Sequence, residues 1–424
     1  MIFKDHKVTV QQVVRLIPEN LLSTLAINTK VDYCAKVLQG ERLFYLLLYA
    51  IVKSDRLSQR FLEDVFKSPS FKFLFNYSAD MKVSRSSISE KLSKINLDFF
   101  RLAYEKIYER YNQLYSCKEQ EQLRLIRVDS SMVAEAGTKL RNGMKAGTKS
   151  KKQPGNEKKQ VKYTMAYDGS AICLAQAHFN PSCLSEDIAI PSVLSRLIKA
   201  DKEHKNIYTF DRGVSSLKNF DRLNNDRASF VGRIKTNRKK EVAASLMRED
   251  TDTSLGSLEL VSDEMIHLFD GKNNSFSPTQ YRIIVGRKKI LAETKPEQTK
   301  GKTRRVENEI HFITNDFGLS PQEIADIYKK RWDIEVFFRF IKQELNFKHF
   351  LSVNENGLQV MLYMTLITAM LLMVYKRLNE IGFTTAKRRF SIELEDAVLK
   401  MAILFCGGDI EKLGTIGYRK LIPK

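Results

Sequence analysis

Tyr328, Arg331, Glu335 and Lys342 follow one another at spacings of three, four and seven residues. On a helix turning ~100° per residue, those positions fall within an arc of about 60°, and a carboxylate lies between two cations and a phenol along roughly 20 Å of axis. Such a face fits a phosphate backbone. Two more acids end runs of strand type: Asp129 after Leu123 to Val128, and Asp211 after Asn206 to Phe210. Carboxylates brought from two strand ends and a helix are hard oxygen ligands that can hold Mg²⁺ and leave positions open for water and phosphate. Two such ions, about 3.5 to 4 Å apart, activate a nucleophile and stabilise the leaving oxygen of an in-line displacement at phosphorus. Neither His nor Cys is needed. Taken singly, each acid has a plain alternative: Asp129 and Asp211 as turn residues, Glu335 as part of a solvated helix face.

The elements that must position these groups are legible in outline. Ser320, Pro321 and Glu323 supply an N-cap, an N1 proline and the return Glu of a capping box after the turn-like Asn315-Asp316-Phe317-Gly318, so the spacing predicts one helix running through Tyr328 to Lys342. Ile327, Ile334, Phe338, Ile341 and Leu345 form its apolar stripe. Val161 to Tyr167 and Ala171 to Ala177 flank Asp168-Gly169-Ser170, which predicts a hairpin; Ile188 to Ala200 and Leu217 to Asn224 read as helices. This alternation indicates an α/β sheet with acids gathered at one edge. Between Asp211 and Glu335 the chain turns β-rich, with strands expected at Phe230 to Ile234, Ser257 to Val261, Met265 to Phe269, Tyr281 to Val285 and Glu309 to Thr314.

Val8 to Tyr115 reads as helices joined by short polar links. Within it, Val83 to Ile95 sets Arg85, Ser86 and neighbouring serines and lysines around Ile88, Leu92 and Ile95, a helix start suited to phosphate and base-edge contacts in a helix-turn-helix reader.

Lys and Arg number 70 against 50 Asp and Glu, a formal charge of +20, so a polyanion is the expected partner, nucleic acid before a membrane surface. Thr138 to Lys162 holds nine Lys or Arg and one acid, Glu157, and is expected to be a basic loop against DNA. Five cysteines, Cys34, Cys117, Cys173, Cys183 and Cys406, lie scattered with no zinc spacing, which fits a reducing cytoplasm. Met1 to Lys7 lacks the apolar run of a signal peptide. Gly357 to Tyr375 carries no charge over 19 residues but includes Gln359, Tyr363, Thr365 and Thr368, and is expected to be a buried core helix rather than a membrane span.

The Tyr328, Arg331, Glu335, Lys342 row resembles the signature of the DDE transposases of insertion sequence family four. Asp211-Arg212-Gly213 is similar to that family's second acidic motif and Val128-Asp129-Ser130-Ser131 to its first, with the resemblance covering roughly residues 120 to 350. It implies an α/β fold with a ribonuclease-H-like catalytic domain (119–225 and 310–379) interrupted by a β-rich insertion (226–309). A helical N-terminal domain that binds DNA ends (1–118) and a helical C-terminal region with oligomer contacts (380–424) would flank it. It also implies a bacterial enzyme, nucleoid-associated when bound, in which Asp129, Asp211 and Glu335 ligate two Mg²⁺ ions, with Mn²⁺ able to substitute. Such an enzyme would nick transposon ends and join the 3′-hydroxyl to target DNA in a homodimeric synaptic complex, by cut-and-paste through a hairpin. Tyr328, Arg331 and Lys342 would bind flanking phosphates, and Arg212, Arg233, Arg85 and Ser86 are further candidate DNA contacts. The chain departs from the pattern at Val214, where Tyr is common. Its single Trp, Trp332, is on the acid-bearing helix, so Phe230, Phe269 and Tyr281 are also candidates to stack a flipped base. A nuclease of the same fold without strand transfer and a non-catalytic basic DNA-binding regulator are the alternatives.

Overall fold

A computed structural model of the chain describes residues 5, 7–115, 124–135, 140, 143–145, 159–248, 252–289 and 308–409. Most of the basic stretch from Thr138 to Lys162 lies outside the described residues. The chain forms two units: Met1–Tyr115, Val133–Gln160 and Arg339–Lys424 make the first, Ser116–Met132 and Val161–Phe338 the second.

The first unit begins with α1 (Val10–Val14), α2 (Leu21–Thr29), α3 (Gly40–Lys53), α4 (Gln59–Lys67), α5 (Pro69–Leu74), α6 (Arg85–Lys94) and α7 (Leu97–Asn112). Side-chain caps define several starts: Ser58, Ser68 and Ser84 each accept from the backbone N–H three residues on, which satisfies one of the donors a helix start leaves over. α3 is the hub. Leu43, Phe44, Leu46, Leu47, Ala50 and Ile51 on one side of it are fully buried and Leu48, Tyr49 and Val52 on the other are buried too, so its apolar surface is covered nearly all round rather than along one stripe.

The second unit is built on a large mixed sheet. Its strands are β1 (Leu125–Glu135), β3 (Lys159–Tyr167), β4 (Ile172–His178), β5 (Ile207–Thr209), β6 (Ser229–Ile234), β7 (Lys240–Ser245), β8 (Ser254–Leu255), β9 (Leu258–Asp270), β10 (Ser275–Lys288) and β11 (Glu309–Thr314); β2 (Met144–Lys145) pairs with the first residues of β3 in the first unit. The order is β3-β1-β5-β6-β11-β10-β9-β7, with β4 on β3 and β8 on β9. β1, β5 and β6 run parallel, and the rest is antiparallel where pairing is defined. Period-2 alternation sorts the strand residues between two cores. Phe230, Ile283 and Ile313 face α8 (Glu186–Ala200) and α9 (Leu217–Asn225); their neighbours Val231, Ile284 and Phe312 face α10 (Pro321–Lys330). The result is a three-layer α/β/α arrangement.

Several sequence expectations are revised here. Asp129 does not end its strand, since β1 continues to Glu135; what ends near it is the parallel pairing with β5, defined only at Leu125, Ile126 and Arg127. The two strands expected at Ser257 to Val261 and Met265 to Phe269 are one, β9 from Leu258 on, because Asp263 between them is buried in a bidentate pair with Arg282 at 2.7 and 2.8 Å. The β-rich segment after Asp211 continues the same sheet. The single helix expected from Tyr328 to Lys342 is two, α10 and α11 (Trp332–Glu344), joined at Arg331. The capping box of α10 is present as expected. The junction has a physical cause: Arg127 Nε donates to Lys330 O at 3.0 Å, and Arg331 N and Ile334 N turn instead to carbonyls three residues back, Tyr328 O and Arg331 O.

The first unit is completed by α12 (Glu355–Leu378) and α13 (Phe383–Phe405). α12 holds the uncharged Gly357 to Tyr375 stretch, packs on α7, α3, α6 and α13, and is mostly buried, as expected of a core helix. Its polar atoms are satisfied internally: Thr368 Oγ1 donates to Met364 O at 2.8 Å and Tyr375 Oη to Glu393 Oε1 at 3.1 Å. Glu393 Oε2 also accepts from Val10 N at 2.8 Å, and Asn379 Oδ1 from Lys7 N and Val8 N at 2.8 and 3.0 Å. Helices from both ends of the sequence thus share one core.

Candidate active site

Asp129 and Asp211 meet because of strand register. β1 and β5 pair in parallel as Leu125↔Ile207, Ile126↔Tyr208 and Arg127↔Thr209, and both chains leave that ladder on the same side, with Asp129 and Asp211 each two residues past its last pair. Arg127 and Asp129 share a face. Their neighbour Val128 and the aligned Phe210 point the other way, into the core under α8.

Above the acids sits the α10–α11 junction. Tyr328 Oη donates to Asp211 Oδ1 at 2.9 Å. Arg331 Nη2 donates to Glu335 Oε1 at 2.7 Å, and Nη1 lies 3.8 Å from Asp129 Oδ2. The Arg331 guanidinium is also 5.5 Å from the Tyr328 ring centre. Asp129, Asp211 and Glu335 are therefore linked to one another through Arg331 and Tyr328. Among the described residues no three His, Cys, Asp or Glu side chains stand close enough together to hold one metal ion.

Burial dominates the electrostatics. It pushes the Asp129 carboxyl up to about 6, outweighing the Ser130 N–H and Arg331, while Glu186 and Glu335 push the same way. It raises the Tyr328 phenol, with Asp211 adding to the effect. For Arg331, burial works against the charge, but the hydrogen bond to Glu335 and the fields of Tyr328 and Asp211 more than offset it. Arg331 Nε is buried and has no hydrogen-bond partner among the described residues, a leftover donor that an incoming anion would satisfy.

Of the other sequence candidates, Arg233 stands near enough to lower the Tyr328 phenol, and Arg212 is exposed beside Asp211. Lys342 lies further along α11, in the first unit, half-buried, with its pKa lowered by burial. Arg85 and Ser86 are exposed at the capped start of α6, also in the first unit. Phe230 and Tyr281 are fully buried, Tyr281 with its hydroxyl on Asp221 at 2.6 Å, so neither can stack a base. Phe269 is half-buried, with Lys239 Nζ 3.6 Å from its ring centre and the part-exposed Phe276 beside it.

Sequence reasoning missed three residues here. Arg127 is 5 % exposed and donates to Leu125 O, Lys330 O and Asp333. Gly169, at φ 103°, lets it in: a Cβ there would lie 2.9 Å from Arg127 Nη1. Glu186 and Asp187 open α8 behind the two aspartates. Their only sequence signal, acids after Ser185 at a helix start, is shared by many ordinary helices.

A family model described as a transposase DDE domain matches residues 120–371. Over 227 residues the chain is 26 % identical to "Putative transposase y4zB" of Sinorhizobium fredii, covering 52 % of this chain and 55 % of that one. Over 162 residues it is 29 % identical to "Probable transposase for insertion sequence element IS5377" of Geobacillus stearothermophilus, covering 38 % and 37 %. Over 179 residues it is 26 % identical to "Putative transposase for insertion sequence element IS4SA" of Synechocystis, covering 42 % and 44 %. The alignments thus span about half or less of these relatives' own lengths. A solved piggyBac transposase synaptic complex with hairpin DNA is a loose structural likeness, with a TM-score of 0.48 and 11 % identity over 94 % of this chain and 82 % of that one. A likeness of that degree assigns no role to any residue.

Proposed function

The chain belongs to the family of transposases with a DDE domain, of the insertion sequence family four type, and on that premise we propose that it nicks the ends of a DNA element and joins the freed 3′-hydroxyl to target DNA. The observation that carries this is the convergence of Asp129, Asp211 and Glu335 on Arg331 and Tyr328. A ribonuclease-H-like organisation is consistent with parallel β1, β5 and β6 and with two aspartates just past the last pair of the β1–β5 ladder.

In donor chemistry the set suits Mg²⁺ or Mn²⁺, and because Arg331 and Tyr328 now occupy the three carboxylates, which do not form a three-acid cluster, binding requires these two side chains to yield. All three side chains offer hard oxygens, and a buried Asp129 carboxyl pushed up to about 6 is a group that gains from added positive charge. Asp129, Asp211 and Glu335 would hold the ions. When bound, two such cations stabilise the charge that develops on the attacking and leaving oxygens of the displacement. The chain's own residues do the rest: Tyr328 orients Asp211, Arg331 restrains Glu335, and the unused Arg331 Nε–H, with Lys342, Arg233 and Arg212, offers donors to phosphates beside the cut. Arg85 and Ser86 are proposed as contacts to the DNA end, with a homodimer pairing two ends. A hairpin intermediate is proposed with Phe269 or Trp332 as the stacking ring, because both have exposed surface.

The test uses a duplex carrying the DNA that flanks the coding region. Asp129→Ala, Asp211→Ala and Glu335→Ala should each abolish Mg²⁺-dependent nicking and leave duplex binding largely intact. Nicking retained in any one of them overturns the assignment. Wild type that nicks but never joins ends to a plasmid would make it a nuclease instead.

A further inference from the structure

Glu186 and Asp187 stand behind the aspartate pair and touch both segments that carry it. Glu186 Oε2 accepts from Ser130 Oγ, the residue after Asp129, at 2.8 Å. Its other oxygen pairs with Lys162 Nζ at 2.7 Å, and Lys162, 2 % exposed, also donates to Leu184 O at 2.9 Å. The Asp211 turn closes from the opposite side, where a Cβ built on Gly213 would come 2.6 Å from Glu186 Cγ. Only glycine lets that turn lie so near. Asp187 holds the stretch that follows: its Oδ1 accepts from Ser215 N at 2.8 Å, Ser216 N at 2.9 Å and Asn219 Nδ2 at 3.0 Å. Two consecutive residues on a helix anchored in the core by Ile190, Val193 and Leu194 thus fasten the chain just after each aspartate.

The β1–β5 ladder does not do this alone, because its pairing stops at Arg127 and Thr209, two residues short of the acids. Beyond that point the separation of Asp129 and Asp211 depends on what holds Ser130 and Gly213. We propose that Glu186 is a positioning residue that fixes the gap between Asp129 and Asp211 for a shared divalent cation, through Ser130 on one side and Gly213 on the other. The inference rests on the metal-dependent reading of the site given above. A bland alternative is that Glu186 only neutralises the buried Lys162. Ser130→Ala separates the two, since it cuts the tie to Glu186 and leaves the Lys162 pair intact; Thr164, the other partner of Ser130, keeps His178 Nε2 at 3.0 Å.

The experiment is a titration of the full chain with Mn²⁺ alone, read by the fluorescence of Trp332, the single Trp, which is 53 % exposed and three residues before Glu335. Ser130→Ala and Glu186→Ala should each raise the half-saturating Mn²⁺ concentration by about ten-fold, and together by no more than either alone, because both remove one tie. The melting temperature of Ser130→Ala in chelator should stay at the wild-type value. If Glu186→Ala fails to fold with Lys162 left unpaired, the combination Lys162→Met with Glu186→Ala takes its place. Unchanged Mn²⁺ affinity in Ser130→Ala, or effects that multiply in the double variant, overturns the proposal. Asp129→Ala is run beside them. If the wild type shows no Mn²⁺ response, or Asp129→Ala retains it, the metal-site reading fails and this inference with it. If Asp129→Ala loses the response while Ser130→Ala keeps wild-type affinity, only the role of Glu186 falls.

Discussion

Replacing Asp129 by Asn should stabilise the metal-free protein at neutral pH, and the size of the effect follows from burial. In the folded chain the Asp129 carboxyl is pushed from an ordinary value of 3.8 up to about 6. The rise is roughly 2 on the pH scale, and at ~1.4 kcal/mol for each tenfold change in proton affinity, keeping the group ionised costs about 3 kcal/mol. The sign is that of an acid with a raised folded value. Between pH 4 and pH 6 the folded state binds more protons than the unfolded one, so stability is highest below about pH 4, falls as pH rises, and levels off above about pH 6. Asn keeps the acceptor for Ser130 N, 2.7 Å away in the wild type, and removes the charge. Its gain should therefore be nil at pH 4 and about 3 kcal/mol at pH 8, or roughly 6 to 12 °C in melting temperature for a unit of about 200 residues. Calorimetry in chelator from pH 4 to pH 8 measures it. Millimolar Mg²⁺ should then stabilise the wild type and leave Asp129→Asn unmoved. A gain that is flat with pH, or a variant less stable than wild type at pH 8, would refute the reasoning.

Arg331→Ala should weaken binding of a cut DNA end and reduce the slope of log affinity against log salt by about one; an unchanged slope removes the phosphate role. Asp263→Ala leaves Arg282, 5 % exposed, without its bidentate partner and should cost about 3 to 5 kcal/mol in chemical denaturation, whereas replacing both residues by apolar ones should cost far less. Ser320→Ala breaks the capping box of α10 and should cost about 1 kcal/mol by the same measurement, with a loss under roughly 0.3 kcal/mol counting against the cap.

What sequence alone reveals depends on how local the cause is. The start of α10 is legible because Ser320, Pro321 and Glu323 are neighbours that interact with one another, and β11 spans the residues expected of it because β-branched and aromatic residues cluster from Glu309 to Thr314 ahead of the turn at Asn315-Asp316. Glu335, Asp129 and Asp211 stand out through residue type and surroundings. The break at Arg331 is not local, since it needs Arg127, about two hundred positions earlier, to take the Lys330 carbonyl. The continuity of β9 is hidden for the same kind of reason, the partner of Asp263, Arg282, being on the next strand. Glu186 is hidden twice over, because an acid in a first helical turn is common and its contacts, Ser130 on β1 and Gly213 in the turn after β5, come from distant parts of the chain. Nor does any pattern in Val8 to Tyr115 reveal that its core is finished by α12 and α13.

That last arrangement sets a schedule for synthesis. α3 emerges with apolar residues on every side, yet two of the helices that cover it, α12 and α13, begin about 300 residues later. At roughly 5 to 20 residues per second, the interval is on the order of 15 to 60 s. Throughout it the nascent chain carries sticky, unfinished helices while the sheet behind them is already free to form. Any slowing of the ribosome in the second half of the message should therefore lower the yield of folded protein more than a slowing in the first, by prolonging that exposure.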